Sequence, residues 1–266
     1  MKIAVSGKGG VGKTVVAATL ADFFVKRDFK VLAIDADPSP NLALTLGIPA
    51  DQAGKIVPIS QNIELIRRKT STGVEGVYRL SFAVEDIVRD YCVKAPNGVA
   101  LLVMGTVKSP DSGCTCPANA VVRALLQHLL LERDEIVVMD MEAGVEHMGR
   151  GTAKHVDVML IVVDPSMKSM EIAKQIHDLA LGAGIKKIFI IGNKIASLNE
   201  RRSVEEYVAK NRFSLLEVVP NDKKILQAEI DGNTPLKHAG NSRGLASIQE
   251  AGEKLIKLSA IGRLET

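Results

Sequence analysis

Near its start the chain carries Gly7-Lys8-Gly9-Gly10-Val11-Gly12-Lys13-Thr14, the spacing G-x-x-x-x-G-K-T. Glycines let a backbone curl until successive N–H groups point inward and make a cradle for phosphate oxygens. A helix that starts where the cradle ends adds the positive end of its dipole. In this pattern Gly9, Gly10, Val11 and Gly12 supply the backbone of the cradle. Lys13 reaches the β- and γ-phosphates, and the Thr14 hydroxyl ligates Mg²⁺. The expected chemistry is nucleotide binding and phosphoryl transfer. Lys8 is a cation that a simple cradle does not require. One residue after the first glycine, it can point away from its own nucleotide and supply charge to a facing subunit.

Further carboxylates and amides fall at the ends of apolar runs. Pro38 restricts Asp37 to an extended backbone, so the Asp37 carboxylate sits on a fixed turn where it can orient or activate the attacking water. An ordinary Asp-Pro turn is the alternative reading. Val137-Val138-Met139-Asp140 is an apolar run ending in a carboxylate, the place expected for a group that helps hold Mg²⁺. Gly144 follows closely, where backbone can approach the γ-phosphate and respond to its loss, so Asp37, Pro38 and Gly144 form the predicted switch. Asn193 ends another run, and its carboxamide can pair with N6 and N7 of adenine. No Asp stands where guanine would be recognised, so the nucleotide is read as ATP.

Cys114-Thr115-Cys116-Pro117 is a different kind of motif. Pro117 suits the first turn of a helix running to about Leu131, which places both thiols at a helix N-terminus and favours thiolate. A Cys-x-Cys pair gives too few ligands for a closed metal site, but a twofold dimer would bring four thiolates together. Four sulfurs suit tetrahedral Zn²⁺, square-planar Ni²⁺ or an iron–sulfur cluster, and softness alone does not choose. On spacing alone, incidental thiols or a redox pair stay open. Cys92 reads as a small buried apolar residue.

Positioning these residues falls to short apolar runs that alternate with helical patterns: Ile3–Val5, Val31–Ile34, Ala100–Met104, Ile136–Met139, Val158–Val163, Ile188–Ile191 and Leu215–Val219. This is the signature of right-handed βαβ units. It predicts an α/β fold in one domain spanning residues 1–266, with a mostly parallel sheet of about seven or eight strands and helices on both faces. Ligands of such sheets sit beyond the carboxyl ends of the strands, where the candidate residues fall. Apolar residues are 46% of the 266 but aromatics only 3%, so the core must be aliphatic. Ala50–Asn97 is the least legible segment: an excursion that packs on a partner, or a long surface region. The net charge of +3 and the scattered basic pairs argue against a nucleic-acid partner. No run suits a transmembrane helix, and the mixed last helix reads as docked on the core, so no membrane partner is expected. With no room for a signal peptide before Gly7, and with few cysteines, the expected compartment is the cytoplasm.

Lys8 to Thr14 resembles the deviant phosphate loop of the MinD/ParA/nitrogenase-iron-protein ATPases, in which the early lysine crosses a nucleotide-sandwiching dimer interface. Asp140 to Glu146 is similar to the MinD-type switch, with Glu142 where that family often has a small residue or proline. Pro220-Asn221-Asp222 resembles the family's second base-contacting loop. The phosphate loop, Asp37-Pro38, Ala143-Gly144-Val145-Glu146-His147, Arg150-Gly151-Thr152-Ala153 and the Cys-x-Cys pair together resemble the CooC family over nearly the whole chain. That resemblance implies a homodimeric, Mg²⁺-dependent ATPase with catalytic Lys8, Lys13 and Asp37. It also implies Ni²⁺ (or Zn²⁺) at Cys114 and Cys116, and a nickel client such as carbon monoxide dehydrogenase or acetyl-CoA synthase. A positioning ATPase of the MinD or ParA kind is the alternative reading, and an iron–sulfur ATP-driven electron donor a third.

Overall fold

A computed structural model describes residues 1–74, 77–79, 81–105, 117–131, 135–142, 150–239 and 241–261. The first half runs β1 (Lys2–Gly7), α1 (Lys13–Val25), β2 (Val31–Ala36), α2 (Leu42–Thr45), α3 (Ala50–Ala53), a 3₁₀ turn (Ile59–Gln61), α4 (Ile63–Thr70), α5 (Glu85–Tyr91), β3 (Val93–Lys94) and β4 (Ala100–Val103). The second half runs α6 (Pro117–Leu131), β5 (Ile136–Met141), α7 (Arg150–Ala153), β6 (Val158–Val163), α8 (Met167–Gly182), β7 (Ile188–Ile195), α9 (Leu198–Lys210), β8 (Ser214–Pro220), α10 (Lys223–Ile230), α11 (Pro235–His238) and α12 (Arg243–Ile261).

Eight strands form one sheet in the order β3-β4-β2-β5-β1-β6-β7-β8. All neighbours pair in parallel except β3, which runs antiparallel at the edge beside β4. Each apolar run foreseen in the sequence is a strand. β3 was hidden because two residues at an edge carry no period to read. Side-chain alternation divides the core between the faces. Ile3 and Val5 of β1, Val31 and Ala33 of β2, and Val158, Leu160 and Val162 of β6 pack with α1 and α12. Ala4, Leu32, Ile34, Met159 and Ile161 pack with α6, α8 and α9 on the other side. Each fully buried aliphatic side chain contributes about 1.5–3 kcal/mol, so a core nearly free of aromatics suffices.

From β1 the chain moves to β2 on one side, returns through β5 beside β1, and then crosses to β6 on the other. That reversal opens a crevice at the carboxyl ends of β1 and β5. Ala50–Asn97 packs on this chain's own α6 through α4 and the 3₁₀ turn, with the Ser60 N–H donating to the Met104 carbonyl at 3.0 Å. Its faint sequence signal has a cause, since it contributes only scattered core residues such as Ile59, Leu65 and Ile87.

The last helix is docked, as its pattern suggests. Ile248, Ala251 and Leu255 are buried, and Gly252 lies so close to Phe23 that a Cβ there would meet the ring at 2.5 Å. Lys254 is used internally, on the Leu216 carbonyl and the Glu217 carboxylate. Among the described residues no helix is long and apolar enough to cross a membrane.

Candidate functional site

β1 ends at Gly7, whose φ of +151° and lack of a side chain let the chain turn hard against β6; a Cβ would stand 2.3 Å from the Val162 carbonyl oxygen. The loop then closes on Gly12, in the left-handed region at φ +96°, which serves as the N-cap of α1. No side chain caps α1, and no acidic residue lies in its first turn. The helix terminus is therefore left open to an anion. Lys13 is buried. Its Nζ and the Val11 N–H both approach the Lys8 carbonyl oxygen at 3.4 Å. The two donors expected to grip a phosphate thus converge on one backbone oxygen. The arrangement suits a phosphate chain at the carboxyl end of β1.

Loop carbonyls turn the other way. Asn193, buried at the end of β7, donates from Nδ2 to the Val11 carbonyl at 2.7 Å. Its neighbour Lys194 donates from Nζ to the Gly10 carbonyl at the same distance. Among the described residues no donor is directed to Asn193 Oδ1, and the residue lines the cavity beside the loop. Nδ2 keeps a second N–H beside the one given to Val11, so the carboxamide can still offer a donor and an acceptor to a base, the pair that N7 and N6 of adenine require.

The carboxylates gather beyond β2 and β5. Asp35 and Asp140 are register partners on these adjacent strands, and both are buried. Among the described residues neither oxygen of Asp140 has a hydrogen-bond partner. Burial above all, with nearby Asp35 and Asp37, raises the Asp140 carboxyl to about 7, against the lowering effect of the Thr14 hydroxyl and Lys13. Asp35 is likewise raised to about 6, chiefly by burial, and partly relieved by the N–H groups of Leu42 and Asp37. Unpaired buried carboxylate oxygens near a hydroxyl suit a hard dication, so Asp140 and Thr14 fit Mg²⁺. That ion would supply charge neutralisation of the phosphates. Asp37 sits half-buried on the same turn, its N–H donating to Asp35 Oδ1 at 3.2 Å and its Oδ1 accepting from the Ser39 N–H at 2.9 Å. Pro38 adjoins it.

Asp35 is the residue that the motif reading passed over. Its signal was available: a polar residue within the apolar run of a fully buried strand must carry a reason. Ser6 was also missed, and its Oγ donates to the Glu142 carbonyl at 2.9 Å, tying β1 to the start of the predicted switch.

On the base side, a cavity of about 940 Å³ runs from the phosphate loop past Asp37 and Asn193 to Pro220, Asn221 and Asp222. The Asn221 N–H donates to the Ile195 carbonyl at 2.9 Å. Asp222 orders the loop by accepting from the Lys224 N–H, the Ser242 hydroxyl and the Gly244 N–H. Burial raises its carboxyl, these bonds more than offset that, and its pKa falls below the usual value. Cys114, Cys116 and Gly144 lie outside the described residues. Among the described residues no group of three or more His, Cys, Asp or Glu is arranged to hold a metal ion.

Comparison with known proteins agrees with this geometry. The CobQ/CobB/MinD/ParA nucleotide binding domain family matches residues 2–236. The chain is 43% identical over 236 residues to the carbon monoxide dehydrogenase accessory protein CooC of Rhodospirillum rubrum, covering 87% of this chain and 88% of that one. It is 40% identical to an uncharacterized ATP-binding protein of Methanocaldococcus jannaschii, covering 97% and 98% respectively. Its fold is like that of the MinD cell division protein of Aquifex aeolicus, with a TM-score of 0.67, 21% identity and 97% of each chain covered. A ParA family ATPase of Chlorobium tepidum gives a TM-score of 0.69 at 22% identity, covering 94% of this chain and 98% of that one. The chain therefore belongs to the CobQ/CobB/MinD/ParA nucleotide-binding family and is an ATPase related to CooC.

Proposed function

We propose that this ATPase is a metallochaperone that works as a homodimer, carrying nickel between paired Cys114/Cys116 motifs for the maturation of carbon monoxide dehydrogenase or a related nickel enzyme such as acetyl-CoA synthase. The observation that carries the reading is the likeness to CooC across most of both chains, in a chain that also holds a Cys-x-Cys pair. Placement in the sequence supports it. β4 ends at Val103 beside β2, at the same carboxyl end of the sheet as Asp37, and α6 begins at Pro117 directly after Cys116.

In this reading Lys13, Thr14 and Asp140 hold Mg²⁺-ATP. Asp37 orients water, and Lys8 completes the partner's site. Asn193 and the Pro220–Asp222 loop take the adenine, while Gly144 senses the γ-phosphate. ATP closes the dimer and brings four thiolates together; hydrolysis reopens it and releases the cargo. Nickel is the cargo, with Zn²⁺ the competing occupant of the same sulfurs.

The test is elemental analysis of anaerobically purified protein, wild type against Cys114→Ser/Cys116→Ser, with the oligomer weighed in ATP and in ADP. One metal per ATP-bound dimer, absent from the double variant, is the expected result. Equal metal content in both proteins would refute the thiolate site. A monomer in every nucleotide state would refute the dimer.

A further inference from the structure

The carboxyl end of β7 breaks the rule that successive strand residues point to opposite faces. Its register with β8 shifts between Gly192 and Ile195. Within that irregularity Lys194 takes φ +60°, a left-handed conformation uncommon for a residue with a long side chain. As a result Asn193 and Lys194, adjacent in sequence, both reach the phosphate loop, at the Val11 and Gly10 carbonyls respectively and at 2.7 Å each. The stem of Lys194 passes the loop as well, with Cε 3.9 Å from where a Cβ on Gly12 would stand. Strand irregularities of this kind re-aim side chains beside active sites, and strained backbone persists where its surroundings require it. A lysine with only a solvation role gains nothing from such a conformation.

We propose that Lys194 is a positioning residue of the ATPase. With Asn193 it forms a two-donor clamp that holds the consecutive Gly10 and Val11 carbonyls away from the phosphates. The C=O and N–H of one trans peptide unit point in opposite directions, so the clamp turns the Val11 and Gly12 N–H groups toward the cradle. The loop is thereby shaped before nucleotide arrives, and less binding energy is spent ordering it. Lys194 acts through the loop and not on the transferred phosphoryl group, so it governs affinity for the phosphate chain shared by ADP and ATP. This inference rests on the ATP-binding role of the loop and is independent of any metal cargo.

The test uses the full chain with Lys194→Met, which keeps the stem and removes the donor, Lys194→Arg, which restores a cationic donor, and Lys194→Gly, which removes the donor while accepting the backbone conformation. Calorimetry gives Kd for MgADP, MgATP and adenosine; steady-state hydrolysis gives kcat. Lys194→Met is expected to weaken MgADP and MgATP alike by about tenfold, the scale of a hydrogen bond from a charged donor. Its kcat at saturating ATP stays within about twofold of wild type, and adenosine binding is little changed. Lys194→Arg recovers most of the lost affinity. Lys194→Gly binds as weakly as Lys194→Met but melts at a higher temperature, so the clamp can be read even where the methionine variant folds poorly. A Kd for MgADP within twofold of wild type in both donor-free variants would overturn the proposal. So would a reduced kcat with unchanged Kd, or an equal loss for adenosine.

Discussion

Replacing Gly12 by alanine is expected to destabilise the nucleotide-free protein by about 2–5 kcal/mol, and removing Asn193 at the same time to cost less than the two changes apart. Two terms set the magnitude. Gly12 sits at φ +96°, and holding an L-residue in left-handed backbone costs about 1–2 kcal/mol. A Cβ there would also lie 2.4 Å from Asn193 Nδ2. The carboxamide must then move, forfeiting its bond to the Val11 carbonyl among groups that are largely buried, at about 1–3 kcal/mol. Asn193→Ala alone forfeits that same bond. In the double variant the bond is lost once and the clash is gone, so the coupling energy should be about 1–3 kcal/mol. Urea unfolding of wild type, both single variants and the double variant without nucleotide measures it. Costs that add to within about 0.5 kcal/mol would show that the carboxamide does not press on Gly12, and the packing argument would fall.

Asp140→Asn should leave nucleotide-free protein no less stable at pH 8, with a gain of about 1–4 kcal/mol from removing a buried unpaired charge whose pKa is raised to about 7. The same variant should lose the Mg²⁺-dependent part of ADP affinity by calorimetry; retained Mg²⁺ dependence would remove Asp140 from the ion. Gly252→Ala gains about 1 kcal/mol of helix propensity, but its Cβ would meet Phe23 at 2.5 Å. Overpacking of about 1–3 kcal/mol should win, and an unchanged or higher Tm would refute that balance. Asp222 has a lowered pKa in the folded state. Its contribution is therefore complete above the unfolded value and is lost as pH falls through the folded one. Asp222→Asn should accordingly lose stability at neutral pH and depend less on pH at the acid end. Equal acid sensitivity in wild type and variant would contradict the assignment.

The sheet and the phosphate loop were legible because both are local. Aliphatic runs that alternate with helical periods admit few arrangements, and G-x-x-x-x-G-K-T between strand and helix has a backbone requirement that glycine alone meets. What stayed unreadable depends on register. Asp35 lies among aliphatic residues in β2, and nothing in the chain says that β5 will set Asp140 beside it. Asn193 was readable as an amide at a strand end, but its hold on Val11 depends on a β7 irregularity that leaves no mark in composition. Asp222 was read through a resemblance as a base contact. What the structure shows is that it orders the starts of α10 and α12, a role that depends on a residue pair 20 positions apart. Ala50–Asn97 resisted reading because its helices are short and bury few residues each.

The position of Asp35 gives the site more unity than its motifs suggest. Its carboxylate accepts from the N–H groups of Asp37 and Leu42, which fixes the turn carrying the water-orienting candidate and the entry to α2. Its backbone carbonyl accepts from the Met104 and Gly105 N–H groups at 2.8 and 3.1 Å, which fixes the exit of β4. Across the strand pair stands Asp140, with unpaired oxygens at the position suited to Mg²⁺. One buried residue therefore stands beside Asp140 and holds both the turn of Asp37 and the point from which the chain leaves toward Cys114. Two neighbouring buried carboxylates repel each other when ionised, and a dication relieves both at once. Mg²⁺-nucleotide held at Asp140, as proposed, would change the electrostatic environment of the residue on which the β4 exit is hung. No separate relay is needed between the phosphate end of the site and that exit, because the register of β2 against β4 and β5 already joins them.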